Sequence, residues 1–147
     1  MLNGRAAHAD RASIAFVGSD VIDEVWQGCL PLLMRLRDRD ENRRTPEEWR
    51  ELIECGQRQL WVAITGGRIV ALALTSIELG RNLRRLVIRG VAGEDMESWL
   101  GPGLHAIEAW ARAEGCNDVE INGRPGWRRA LWRLGYRPAF VISRKEL

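Results

Sequence analysis

The chain has 147 residues, 46% of them hydrophobic, and its 22 basic and 20 acidic side chains leave a formal net charge of +2. That length makes one ordinary domain burying roughly two-thirds of its unfolded surface, and the near balance of charge gives no bulk attraction for nucleic acid. Apolar runs such as Ile69 to Leu74 fall far short of the ~20 residues of a membrane span, and the opening "MLNGRAAHADRAS" lacks a signal peptide's apolar stretch; a soluble, cytoplasmic protein is expected.

Residues 1–12 read as a disordered N-terminal arm, and residues 13–147 as one domain. Ser13 to Val17 has the pattern of a short strand, followed by Gly18-Ser19-Asp20 as capping chemistry for a helix carrying Val21, Ile22, Val25, Trp26, Cys29, Leu30 and Leu33. That helix should run to about Leu36, kinked or divided by Pro31. The charged run "RDRDENRR", Arg37 to Arg44, has no apolar period and reads as a solvated loop. In "TPEEW", Thr45 as N-cap, Pro46 at the first helical position and Glu48 at the third make the parts of a capping box. The second helix continues through Cys55 to Gly56.

Leu60 to Ile64 and Ile69 to Ile77 are β-rich runs around "TGGR", whose Gly66-Gly67 suits the positive φ angles of a tight hairpin. Leu86 to Val91 is a further strand, and Leu104, Ile107, Trp110 and Ala111 mark a helix ending at Gly115. Asp118 to Asn122 reads as a strand, Trp127 to Leu134 as a short helix and Ala139 to Ser143 as a last strand. The order is β-α-α-β-β-β-α-β-α-β, an α/β (α+β) class with a mixed, mostly antiparallel central sheet flanked by helices.

Cys29, Cys55 and Cys116 are odd in number and far apart, and they form neither a C-x-x-C pair nor a metal-like cluster with His8 and His105. They read as buried or half-buried free thiols. Lys145 is the only lysine, an arginine dominance that fits the codon usage of a G+C-rich genome better than widespread phosphate binding.

"EAWARAEGCNDVEI" followed by "GWRRALWRLGYRP", with Leu134-Gly135-Tyr136 as a Leu-Gly-aromatic turn, resembles the helix, strand and helix of the GNAT superfamily of acyl-CoA-dependent N-acyltransferases. The resemblance spans about Ile14 to Lys145. It implies that a pattern like [RQ]-x-x-G-x-[GA] between the fourth strand and the next helix should hold the CoA pyrophosphate on backbone N–H groups and the helix dipole. The corresponding positions run about Asp95-Met96-Glu97-Ser98-Trp99-Leu100, with no Arg or Gln lead and no glycine pair. Two carboxylates facing a pyrophosphate would cost ~1 kcal/mol or more per pair, whereas at a helix start without ligand Asp95 or Glu97 can complement the dipole. A slipped alignment would instead use Gly101-Pro102-Gly103 as the loop, with Val91 also facing the cofactor.

Many members of that superfamily use a tyrosine on the last helix as general acid; Leu131 stands there in this chain, and Tyr136 reads as a packed residue at the helix exit. An acceptor base would have to be Glu78 at a strand end, Glu120 on the later strand, or His105. Alternation turns Glu120 away from the core shared by Val119 and Ile121, and His105, beside Leu104 and Ile107, reads as a partly buried helix residue.

Arg124, Arg128, Arg129 and Arg133 with Trp127 and Trp132 form a basic, aromatic segment, and Trp99 is expected beside the cofactor groove; seven tryptophans require some near the surface. "GRPGWRRALWRLGYR" also resembles small GNAT-like proteins of tailed phages and prophages. A non-catalytic GNAT-fold protein without metal or cofactor is expected, acting through protein contacts or self-association, as a virion-associated, internal or assembly component of a phage. An acetyl-CoA-dependent N-acetyltransferase with a non-standard phosphate loop is the alternative, and nucleic-acid binding by the Arg-Trp segment is a less favoured third.

Overall fold

The computed structural model describes residues 11–123 and 125–147. Five strands, β1 (Ser13–Val17), β2 (Gln59–Thr65), β3 (Arg68–Leu79), β4 (Arg84–Gly93) and β5 (Asp118–Ile121), lie side by side in chain order. The first three pairings are antiparallel, and β5 runs parallel to β4. Helices α1 (Ile22–Arg37) and α2 (Pro46–Glu54) cover one face, and α3 (Met96–Ala113) covers the other with α4 (Arg128–Arg133), which follows a 3₁₀ turn at Pro125–Trp127.

Alternation along the strands builds two cores. Leu60, Val62, Leu72 and Leu74 face Ile22, Trp26, Leu33 and Leu36 of α1 and Trp49 and Ile53 of α2. Trp61, Ala63, Ala71, Ala73, Leu86 and Ile88 face Leu100, Leu104, Ile107 and Ala111 of α3. Each fully buried large side chain, such as Leu33, Leu60 or Leu86, contributes ~1.5–3 kcal/mol of transfer free energy.

Local signals are met where chemistry is local. Thr45 and Glu48 exchange both hydrogen bonds of the capping box, Glu48 N to Thr45 Oγ1 at 3.2 Å and Thr45 N to Glu48 Oε1 at 3.3 Å. Gly66 and Gly67 turn the β2–β3 hairpin at φ of 57° and 75°. In helix α1 the N-cap is Val21, without the side-chain hydrogen bond expected of Ser19 or Asp20, and Pro31 does not divide the helix.

The expected last strand is absent. Ala139 to Ser143 has no assigned secondary structure, and Phe140, Val141 and Ile142 are 63%, 91% and 69% exposed. Their β propensity reflects fit to a pleated, half-buried surface, and no strand of the described sheet supplies one here. Ala12 is buried and its N–H donates to Ser98 O at 3.3 Å; residues 1–10, His8 included, lie outside the described residues. Cys29 is buried, which pushes its thiol up to about 11, and Cys116 is half-buried, but Cys55 is exposed, contrary to expectation. No helix among the described residues is long and apolar enough to cross a membrane.

Candidate functional site

The site is built around the end of β4. Leu74 pairs with Gly90 and Thr75 with Ile88, so Arg89 is an extra residue, a β-bulge. The bulge reverses the alternation: Leu86 and Ile88 face the α3 core, and beyond it so does Val91, while Ala92 packs with the α1 core and Gly90 lies against Leu36. Parallel pairing with β5 ends at Ile88 and Ile121, and a cleft of about 500 Å³ lies where the strands part. Gly90 and Val91 line one side and Asn122 and Gly123 the other; Leu36, Trp49 and Trp127 add apolar wall.

From β4 the chain reaches α3 through Glu94 and Asp95 alone. Asp95 is the N-cap residue, in the left-handed region at φ 56° with no side-chain capping bond, and Glu97 sits in the first turn. Ser98 N–H and Oγ–H both donate to Asp95 O, at 2.9 and 2.8 Å. Trp99, expected as a surface residue beside the groove, is only 5% exposed, its indole N–H donating to Glu94 O at 2.6 Å and its ring edge-on to Trp127 at 6.3 Å. The indole therefore fastens the turn from inside. Glu94 points outward, its side chain 87% exposed and 3.9 Å from Arg35, a pairing of little energetic weight. Gly101-Pro102-Gly103 is helical, in the second turn of α3, so it forms no loop.

A pyrophosphate would need free backbone donors and space at this junction. The junction instead has a two-residue turn, a buried indole on its inner side and Glu94, Asp95 and Glu97 around the helix start. Three carboxylates around this helix start would oppose an anionic group.

The residues expected to act as a base are scattered. Glu78 pairs with Arg89, which also donates to Ser76 Oγ at 2.9 Å. Glu120 is half-buried, 3.6 Å from Arg85, and Arg85 grips Asp118 through two bonds of 2.7 and 2.9 Å that hold this carboxyl below its usual range. His105 is exposed on α3, not partly buried. None of the three lines the cleft. Leu131 is buried in the α3 core, and Tyr136 donates to Glu108 Oε2 at 2.7 Å; burial and then this bond hold its hydroxyl far above the ordinary phenol range.

Beside the cleft wall made by Trp127, which is half-buried, Arg128, Arg129 and Arg133 are exposed, and Trp132 is 51% exposed with the Arg137 guanidinium 3.8 Å over its ring. Arg124 lies outside the described residues. Of the seven tryptophans only Trp132 is exposed; Trp26, Trp49, Trp61 and Trp99 are buried.

The cleft's arginines carry no motif in the sequence. Arg39 and Arg44 belong to the run read as a solvated loop, and Arg58 and Arg89 carried no motif, yet all four line the cleft. The arginine density of "RDRDENRR" was the available signal; the bulge that brings Arg89 there depends on strand register.

No protein-family model matches the chain, and a search of the curated proteins found no match. Solved structures do match. Glucosamine-6-phosphate N-acetyltransferase from Arabidopsis thaliana superposes with a TM-score of 0.70 at 16% identity, over 92% of this chain and 97% of that one. An acetyltransferase of Trypanosoma brucei gives 0.67 at 17% identity, over 92% and 99%. A protein described as a transcriptional regulator from Bacillus halodurans C-125 gives 0.65 at 18%, over 93% and 100%. At such identities the likeness concerns the backbone. Its five-stranded, mostly antiparallel sheet with flanking helices gives this chain a GNAT-like fold, shared with acetyltransferases.

Proposed function

We propose that this protein is a non-catalytic bearer of the GNAT-like fold and acts through binding. The observation that carries the reading is the β4–α3 junction: Glu94 and Asp95 alone join strand to helix, with Trp99 fastened beneath them. Carboxylates at a helix start complement its dipole and repel a pyrophosphate. Leu131 at the expected position of the acid, and carboxylates occupied by arginine at Glu78 and Glu120, support the same reading. Protein contact is supported by the exposed Phe140, Val141 and Ile142 and by Trp132 among Arg128, Arg129 and Arg133, the residue types of interface anchors. The likeness of "GRPGWRRALWRLGYR" to phage-encoded proteins favours a virion or its assembly as the setting.

Calorimetric titration of the purified chain with acetyl-CoA tests the reading. No saturable heat is expected up to millimolar ligand; micromolar saturation would overturn it. Light scattering after size exclusion tests the contact surface, a Val141→Asp and Trp132→Ala double variant being expected to remove any concentration-dependent association. Mass spectrometry of purified phage particles from the source strain tests the setting.

One observation favours the alternative, an acetyl-CoA-dependent N-acetyltransferase: the bulge at Arg89 and the parting of β4 from β5 leave a ligand-sized cleft. Turnover of acetyl-CoA with a panel of amines would establish it.

A further inference from the structure

The cleft has a charge pattern that neither catalysis nor a protein interface requires. Four arginines line it, Arg39, Arg44, Arg58 and Arg89, against two carboxylates, Asp40 and Glu41. Both carboxylates are already engaged: Asp40 accepts from Arg44 N at 2.8 Å and Arg44 Nη1 at 3.4 Å, and Glu41 pairs with Arg144. Arg89 is balanced by Glu78. Among the described residues Arg39 and Arg58 have no carboxylate partner, and the Arg58 side chain donates only to Gln57 O, at 2.9 Å. Burial, and then the positive charges of Arg89 and Arg44, hold Arg58 below the usual guanidinium range.

Half-buried Arg58 and exposed Arg39, the two without a carboxylate partner among the described residues, make the cleft attractive to an anion. The rest of the lining includes apolar Leu36, Leu74 and Ile88 and the half-buried Trp127. A volume of about 500 Å³ falls within the ~300–1,000 Å³ of small-molecule sites. We propose that this cleft binds a small organic anion, a carboxylate or phosphate joined to an apolar or aromatic body, with Arg58 and Arg39 on the anionic group and the body against Trp127 and Leu36. The inference goes beyond the preceding reading and stands whether or not the protein has an enzymatic activity.

Tryptophan fluorescence and calorimetry with phenyl phosphate, with 3-phenylpropionate and with neutral benzyl alcohol would test it on the full chain. Saturable binding of one or both anions, absent for the alcohol and weakened by salt, is expected; the stronger of the two identifies phosphate or carboxylate as the preferred group. Arg58→Gln should weaken the anion at least about tenfold and Arg58→Lys less, since a bidentate fork is lost but the charge is kept. Arg68→Gln and Arg81→Gln, which remove the same charge outside the cleft, should leave affinity unchanged, and thermal melts would establish that all four variants fold. Equal binding of the alcohol, equal loss in the outside variants, or no binding of either anion would overturn the proposal. The two readings fail separately, because saturable acetyl-CoA binding ends the non-catalytic reading, whereas loss of anion selectivity ends this one.

Discussion

Helices α2 and α3 start in opposite ways. At α2, Thr45, Pro46 and Glu48 complete a capping box within four residues, so the start is written in adjacent side chains. At α3, Asp95 has a left-handed backbone and no capping bond, and the turn is held by Trp99 from within the helix and by Gly93 packed on β3. A helix start secured by its own cap can be placed almost anywhere, whereas one secured by packing is fixed to the sheet beneath it. The second kind joins β4 to α3, and its fastening is a buried indole beneath the turn.

Variants can break this comparison. Trp99→Ala should be the most damaging, at about 3–5 kcal/mol of unfolding free energy by urea titration, because a buried ring and the partner of Glu94 O are lost together. A loss under about 1 kcal/mol would mean that α3 is not fastened by packing. Gly93→Ala comes next, at about 1–3 kcal/mol: a Cβ there would stand 2.4 Å from Ala71 Cβ and 2.8 Å from Val70 O, so backbone must move.

Thr45→Ala should cost about 1 kcal/mol, the ordinary value of an N-cap, and Thr45→Ser should recover most of it. Asp95→Gly has the opposite sign. Relief of a left-handed non-glycine backbone should stabilise by about 0.5 kcal/mol, the gain being reduced by glycine's freedom in the unfolded chain. A loss instead would show that the Asp95 side chain holds the turn.

The smallest effect concerns the far half of α3, where Glu108 accepts from Tyr136. The folded state raises the pKa of this hydroxyl, so the associated stability is complete below the unfolded value of about 10 and is lost as pH rises above it. Tyr136 is the only tyrosine, so phenolate absorbance should rise only as the chain unfolds, and Tyr136→Phe should flatten the alkaline fall in stability without abolishing it, because buried Cys29 titrates at about 11. Phenolate absorbance near pH 10 in the folded protein would contradict the buried bond.

Elements whose cause lies within a few residues were legible from the chain. The capping box at Thr45, the Gly66-Gly67 hairpin and the exit of α3 at Gly115, φ 78°, depend on local hydrogen bonds and on the freedom of glycine. The Leu134-Gly135-Tyr136 turn also formed, with Gly135 at φ 93° and Tyr136 N donating to Leu131 O at 2.9 Å. The strand expected at Ala139 to Ser143 failed because pairing requires a partner edge, which propensity does not record.

Apolar periodicity and turn chemistry determined the element types, their order up to α4 and hence the fold. Tertiary structure alone decided that Trp99 faces inward, that Arg89 is the extra residue of a bulge, and that Arg39, Arg44 and Arg58 meet it across one cleft. The reason is distance along the chain: Arg39 and Arg89 are fifty residues apart, and only strand register and helix packing bring such residues together.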